Sequence, residues 1–216
     1  MSQPQPTGYL ANPASGAGAG LLVLHPWWGL NDTVKAFCDR LAGQDFVAFA
    51  PDLYHGVVAT TIKDAQALSD SLTREQVKAD LANAVAFLGG RPEVTAPGLG
   101  VIGFSLGANL ALGLSVNYPD SVRAVVVFYG TRPADYQLSR AAYLGHFAET
   151  DDFEPASAVA ELEKALVTAG RPVTFYTYQG TGHWFFEPDR TDAYNPEAAQ
   201  LAWERTLPFL RNAFSS

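Results

Sequence analysis

Leu99-Gly-Val-Ile-Gly-Phe-Ser-Leu-Gly107 carries an apolar run straight into a turn with a serine between two glycines, and the small-residue pattern of a helix begins at Leu106. Residues 99–102 read as a buried strand, and Gly103-Phe-Ser-Leu-Gly107 as the tight turn that leaves it, with glycines where a Cβ finds no room. A serine on such a turn presents its hydroxyl beyond the strand's carboxyl end, so Ser105 is read as a nucleophile. A G-x-S-x-G string alone is weak. The reading rests on its surroundings: strand before, helix after, and downstream an acid and then a histidine.

Outward from this turn, apolar runs recur at residues 21–24, 46–50, 124–129, 143–148 and 173–178. Several are continuously apolar rather than alternating, as in strands covered on both faces of a parallel sheet. Helical patterns lie between them. Val34, Phe37, Cys38 and Leu41 share one face; Thr73-Arg-Glu-Gln76 resembles a capping box ahead of Val77, Leu81, Val85 and Leu88. Val159, Leu162 and Leu166 form a third stripe, and Asn195-Pro196 opens a last helix with Ala199, Trp203, Leu207 and Leu210 inward. Alternation of strand and helix predicts an α/β fold with a mostly parallel central sheet and helices on both faces. The glycines of Ser15-Gly-Ala-Gly-Ala-Gly20 precede a strand instead of following one, so they are read as a flexible connector and not as a dinucleotide fingerprint. Residues 1–20 are expected to form a mobile segment.

With 216 residues, 48% of them hydrophobic, the chain can bury one sizeable core, and a single domain over residues 1–216 is expected. Twenty-two acidic against 14 basic residues give a net charge of -8, which repels phosphate backbones and anionic lipids and excludes nucleic acid as a partner. No stretch reaches membrane-span length, and Met1-Ser-Gln-Pro-Gln-Pro6 lacks the basic start and apolar core of a signal peptide, so a cytoplasmic protein is expected, monomer or homodimer. The one cysteine, Cys38, falls on the helical stripe and reads as a core thiol. The four histidines lack the spacing of a metal site, and no metal or cofactor is expected.

In such sheets the reactive groups gather beyond the carboxyl ends of the strands. Ser105 is there, as are Asp151 and Asp152 after residues 143–148, and His183 in Gly180-Thr-Gly-His183 after residues 173–178. A serine hydroxyl needs a base for its proton, and His183 is that base; the imidazole needs a carboxylate on its far nitrogen, which Asp151 or Asp152 supplies. The alkoxide formed on attack needs preorganised donors. Leu106 N–H is one, and Trp27 N–H, in His25-Pro-Trp-Trp-Gly29, is the other, because Pro26 has none. Trp28, Tyr54, Tyr129, Trp184 and Phe185 lie near strand ends and are candidate pocket residues, with core packing the competing role; His55 follows a strand and is a candidate too, with a surface-loop role the alternative. His25 is expected to shape its loop, His146 to be a satisfied core histidine, and residues 56–72 to form a partial lid.

Together, His25-Pro-Trp-Trp-Gly-Leu-Asn31, Pro51-Asp-Leu-Tyr54, Gly103-Phe-Ser-Leu-Gly107, Asp151-Asp-Phe-Glu-Pro155, Gly182-His183 and Ala202-Trp-Glu-Arg-Thr-Leu207 resemble the dienelactone hydrolase family of the α/β-hydrolase fold, from about Gly8 to Leu210. The resemblance implies an esterase or lactonase acting on a small-molecule ester or lactone, and it favours Asp151 as the acid. It also exposes three departures. Ser105 stands where the family's best-known members carry cysteine, Pro26 where they carry a glutamate that engages the thiol, and Glu187 where an arginine binds the substrate carboxylate, with Arg190 nearby as a further pocket candidate. The first two changes agree with an ordinary serine esterase, and the third argues against dienelactone itself. A thioesterase, acyltransferase or peptidase would use the same residues, and a ligand-binding protein on the same scaffold is the alternative outside catalysis.

Overall fold

A computed structural model describes residues 5–215. The continuously apolar runs become strands buried on both faces: every residue of β3 (Phe46–Pro51) is buried, as are the last five of β2 (Gly18–Leu24). With β1 (Gly8–Ala11), β4 (Val94–Phe104), β5 (Val122–Phe128), β6 (Ala142–Ala148) and β7 (Val173–Tyr178) they form one sheet in the order β1-β3-β2-β4-β5-β6-β7. Only β1 runs antiparallel, against β3; the other pairings are parallel.

Successive residues of a strand point to opposite faces, and β2 divides accordingly. Leu21 and Val23 join Ile102, Phe104, Val126 and Phe128 under α1 (Asp32–Ala42) and α6 (Pro196–Phe214). Leu22 and Leu24 join Val47, Phe49, Val101 and Val125 under α3 (Arg74–Gly89), α4 (Leu106–Asn117) and α5 (Ala156–Thr168). Cys38 is fully buried in the first layer, and burial pushes its thiol pKa up. The remaining helix, α2 (Ile62–Ser71), buries only Ala65.

The order reverses between β2 and β4: from β2 the chain steps outward to β3, then returns past β2 to β4 and continues the other way. Loops leaving two neighbouring strands therefore diverge and open a crevice at their carboxyl ends. The Trp27 loop and the Ser105 turn flank that crevice.

The mobile N-terminal segment expected from sequence is not found over residues 5–20. Gly8–Ala11 pairs with β3 from Gly8↔Pro51 to Ala11↔Ala48, Tyr9 donates to Asp39 at 2.8 Å, and Ser15 donates to Asp45 at 2.8 Å. The glycine-rich stretch read as a connector instead supplies the start of β2. Four residues are too few to show a period, and glycines weaken the strand signal; the ladder supplied by β3 imposes the order. Residues 1–4 lie outside the described residues. The capping box is half formed: Thr73 Oγ accepts from the Gln76 amide at 3.2 Å, but the Gln76 side chain turns to His55.

His146 is the satisfied core histidine that its apolar run implies, bonded to Tyr178 Oη at 2.8 Å and Thr206 Oγ1 at 3.0 Å. Burial lowers its pKa from 6.5 to about 3. On acidification the unfolded chain takes up this proton first, so the stability His146 contributes is complete above pH 6.5 and drains away as pH falls toward 3. Thermal melts should show the midpoint dropping between pH 6.5 and 4, and a shallower drop in His146→Gln.

Candidate active site

The turn between β4 and α4 holds Ser105 at φ 49° and ψ -111°, a conformation that side chains rarely adopt. Its amide donates to Phe128 O at 3.0 Å, which anchors the turn to β5. A Cβ at Gly103 would collide with the Gly107 carbonyl, and one at Gly107 with the Leu24 carbonyl, so both glycines are required by close backbone approach.

Ser105 Oγ lies 2.9 Å from His183 Nε2. His183 sits in the loop after β7, where Thr181 Oγ1 donates to Tyr178 O at 2.6 Å and the Thr150 amide donates to Thr181 O at 3.2 Å. Its Nδ1 meets Asp151 Oδ2 at 2.8 Å and Oδ1 at 2.9 Å. The Asp151 carboxylate is itself oriented, since Oδ1 accepts from the amides of Phe153 at 2.9 Å and Glu154 at 3.0 Å. An ionised carboxylate only accepts, so Nδ1 bears the proton and Nε2 is free to accept from the serine hydroxyl. The two side chains of the His183–Asp151 pair are each 5% exposed, which keeps water from competing for the contact. Asp152 is exposed, and both carboxylate contacts to the ring come from Asp151.

The Leu106 amide is the first of α4 and has no carbonyl within its own helix to bond. Trp27 is on the loop leaving the neighbouring strand β2. That loop is pinned by His25: Nδ1 donates to Pro26 O at 2.6 Å, and Nε2 accepts from the Leu53 amide at 3.2 Å. Both nitrogens are used in the neutral form, and burial lowers the His25 pKa to match. Among the described residues neither the Trp27 nor the Leu106 amide donates to a protein acceptor.

Trp27, Trp28, Trp184 and Phe153 form an aromatic roof beside the imidazole. Ring centroids of Trp27 and Trp184 are 6.2 Å apart, of Trp28 and Trp184 5.4 Å, and of Phe153 and His183 4.9 Å. The expected partial lid meets this roof through Ala65 and Leu68 of α2, while Val57, Val58 and Ile62 stay exposed. Arg190 lies 4.1 Å over the Trp28 ring and bonds Asp189, which accepts from Asn31, so the histidine loop and the Trp27 loop are clasped together. Tyr129 leans on His183 at 4.8 Å and donates to Glu187 at 2.7 Å.

Three pocket candidates fall elsewhere. Phe185 is fully buried between Tyr129 and Tyr178, because the loop after Trp184 turns Phe185 and Phe186 into the core. His55 sits at φ 50° with its ring against Gln76 at 2.7 Å and Asp80 at 3.4 Å, turned to α3. Tyr54 is buried against His25, beneath the Trp27 loop. Sequence reasoning passed over Phe153, whose signal was its place two residues after Asp151, and the burial of Glu187, which nothing local announces.

The dienelactone hydrolase family model matches residues 7–214. Protein usf of Aquifex pyrophilus is 34% identical over 213 residues, covering 94% of this chain and 92% of the relative. A protein of Aquifex aeolicus, provisionally named carboxymethylenebutenolidase, is 32% identical over 214 residues with the same two coverages, 94% and 92%. Among solved structures, a Klebsiella pneumoniae protein provisionally described as a dienelactone hydrolase superposes with a TM-score of 0.83 at 24% identity, covering 94% of this chain and 91% of that one, which establishes the α/β-hydrolase fold. With a family match running almost end to end, and a strand order and switch-point crevice that agree with it, the chain belongs to the dienelactone hydrolase family.

Proposed function

We propose that the chain is a serine hydrolase of small carboxylic esters and lactones. The observation that carries this reading is the continuous line from Ser105 Oγ through His183 to Asp151, with contacts of 2.9 and 2.8 Å. Ser105 Oγ attacks the carbonyl carbon while His183 Nε2 takes its proton; the carbonyl oxygen, now an alkoxide, accepts from the Leu106 and Trp27 amides. Collapse of this intermediate breaks the bond to the alcohol oxygen, which receives the proton from His183. Water then attacks the acyl-serine, passing a proton to the same nitrogen, and the carboxylic acid leaves as Ser105 is restored. Asp151 keeps the imidazole in the required tautomer throughout. The name carried by the Aquifex aeolicus relative agrees with a lactone as substrate.

A fluorophosphonate probe tests this directly, with one label per chain expected on Ser105 and p-nitrophenyl acetate turned over above the buffer rate. An unlabelled protein with no turnover would leave a binding scaffold as the better reading.

Charge sets the substrate class. Where an arginine would meet a substrate carboxylate the chain has Glu187, buried and bonded to Tyr129, and Arg190 is already engaged by Asp189 and Trp28. Among the described residues beside the tryptophans, a substrate carboxylate therefore finds Arg190 already taken up and gains no new ion pair from it. Neutral p-nitrophenyl acetate should exceed the p-nitrophenyl ester of succinate in kcat/KM by about tenfold.

A further inference from the structure

Resting on the ester-hydrolase reading, we propose that Tyr129 and Glu187 act as a positioning pair that sets the ring plane of His183. The contacts to Ser105 and Asp151 fix the two nitrogens of the imidazole, but a ring held only at those points can still tilt about the line joining them. Tilt is resisted by what packs on the ring. Three aromatic rings approach it: Phe153 is 49% exposed, Trp184 has no partner for its indole N–H, and Tyr129 is fully buried and tied down by its hydroxyl.

Two costs mark this pair. Tyr129 sits at φ 38°, a strained conformation for an aromatic residue that persists only where its surroundings over-determine it. Glu187 is a buried carboxyl with Oε2 unpaired, and burial raises its pKa to about 8. A neutral Glu187 accepts from Tyr129 through Oε1, as a glutamine would. Once ionised it accepts more strongly and adds a negative charge at the hydroxyl end of the ring packed on His183.

Other charges face the same place. Asp189 and Arg190 come from its own loop, and Asp151 faces Tyr129 from the loop after β6. Asp32 and Arg40 of α1 and Tyr194 ahead of α6 share with Glu187 a cavity of about 380 Å³. A glutamate bonded to the ring that braces the base couples its own titration to the orientation of His183.

The test is a kcat profile from about pH 6 to 9.5 on p-nitrophenyl acetate, paired with fluorophosphonate labelling rates and thermal melts. Tyr129→Phe keeps the ring and loses the tether; kcat should fall about fivefold with KM little changed. Glu187→Leu should match it, and Glu187→Gln should restore most of that loss at pH 7. The wild-type profile should show a further rise centred near pH 8, absent from Glu187→Gln. Wild-type kcat in Tyr129→Phe overturns the proposal, as does a Glu187→Gln profile that superimposes on wild type through pH 8. If Glu187→Leu does not fold, the other two variants decide. Unchanged rates with Ser105 still labelled overturn the positioning pair alone; absence of Ser105 labelling in the wild type overturns the hydrolase reading with it.

Discussion

Ser105→Ala is expected to lose fluorophosphonate labelling completely and to lower kcat on p-nitrophenyl acetate by about a millionfold. The size follows from what is removed. On the proposed mechanism no acyl-enzyme forms without the hydroxyl, and the amides of Leu106 and Trp27 would only assist attack by water, a residual effect of about a thousandfold over solution. His183→Ala should cost about as much, since an unassisted hydroxyl is a poor nucleophile at neutral pH. The double variant should be no worse than either single one, because the two residues act as one unit. Full additivity, measured under single-turnover conditions, would show that they do not.

Asp151→Asn is expected to cost about ten-thousandfold in kcat, with Asp152→Asn close to wild type. The asymmetry is geometric. Asp151 meets His183 Nδ1 with both oxygens and is fixed by two amides, whereas Asp152 is exposed. An asparagine at 151 would keep the shape but can present its NH2 to Nδ1. The ring proton then moves to Nε2, which can no longer accept from Ser105. Side-by-side kcat measurements check this, and a greater loss from Asp152→Asn would reverse the assignment.

The β4 turn and the order of acid and histidine were legible because their rules are local: a strand end, a tight turn, a loop after an apolar run. The parallel sheet was legible for the same reason, since burial on both faces leaves continuous apolar runs such as residues 124–128. What escaped depends on partners distant in sequence. β1 exists through its ladder to β3, some 40 positions on. The choice between two adjacent aspartates turns on which carboxylate rotates toward a ring 32 residues away; resemblance to the family favoured Asp151, and it is Asp151 that contacts the ring. Tyr54 and Phe185 lie near strand ends as expected, yet sequence spacing does not say which way a loop side chain turns, and both packed inward. The burial of Glu187 is likewise invisible locally, set between a sharp turn and Tyr129.

Ser105, Tyr129 and Trp184 all lie in the left-handed region, at φ 49°, 38° and 67°, within one small cluster. Each such residue holds about 1 to 3 kcal/mol that glycine or asparagine would release. Laboratory evolution guided by heat resistance alone is therefore drawn toward the very positions on which the proposed chemistry depends. The molecule's robustness and its reactivity draw on a common reserve, and a hardier descendant gains one by spending the other.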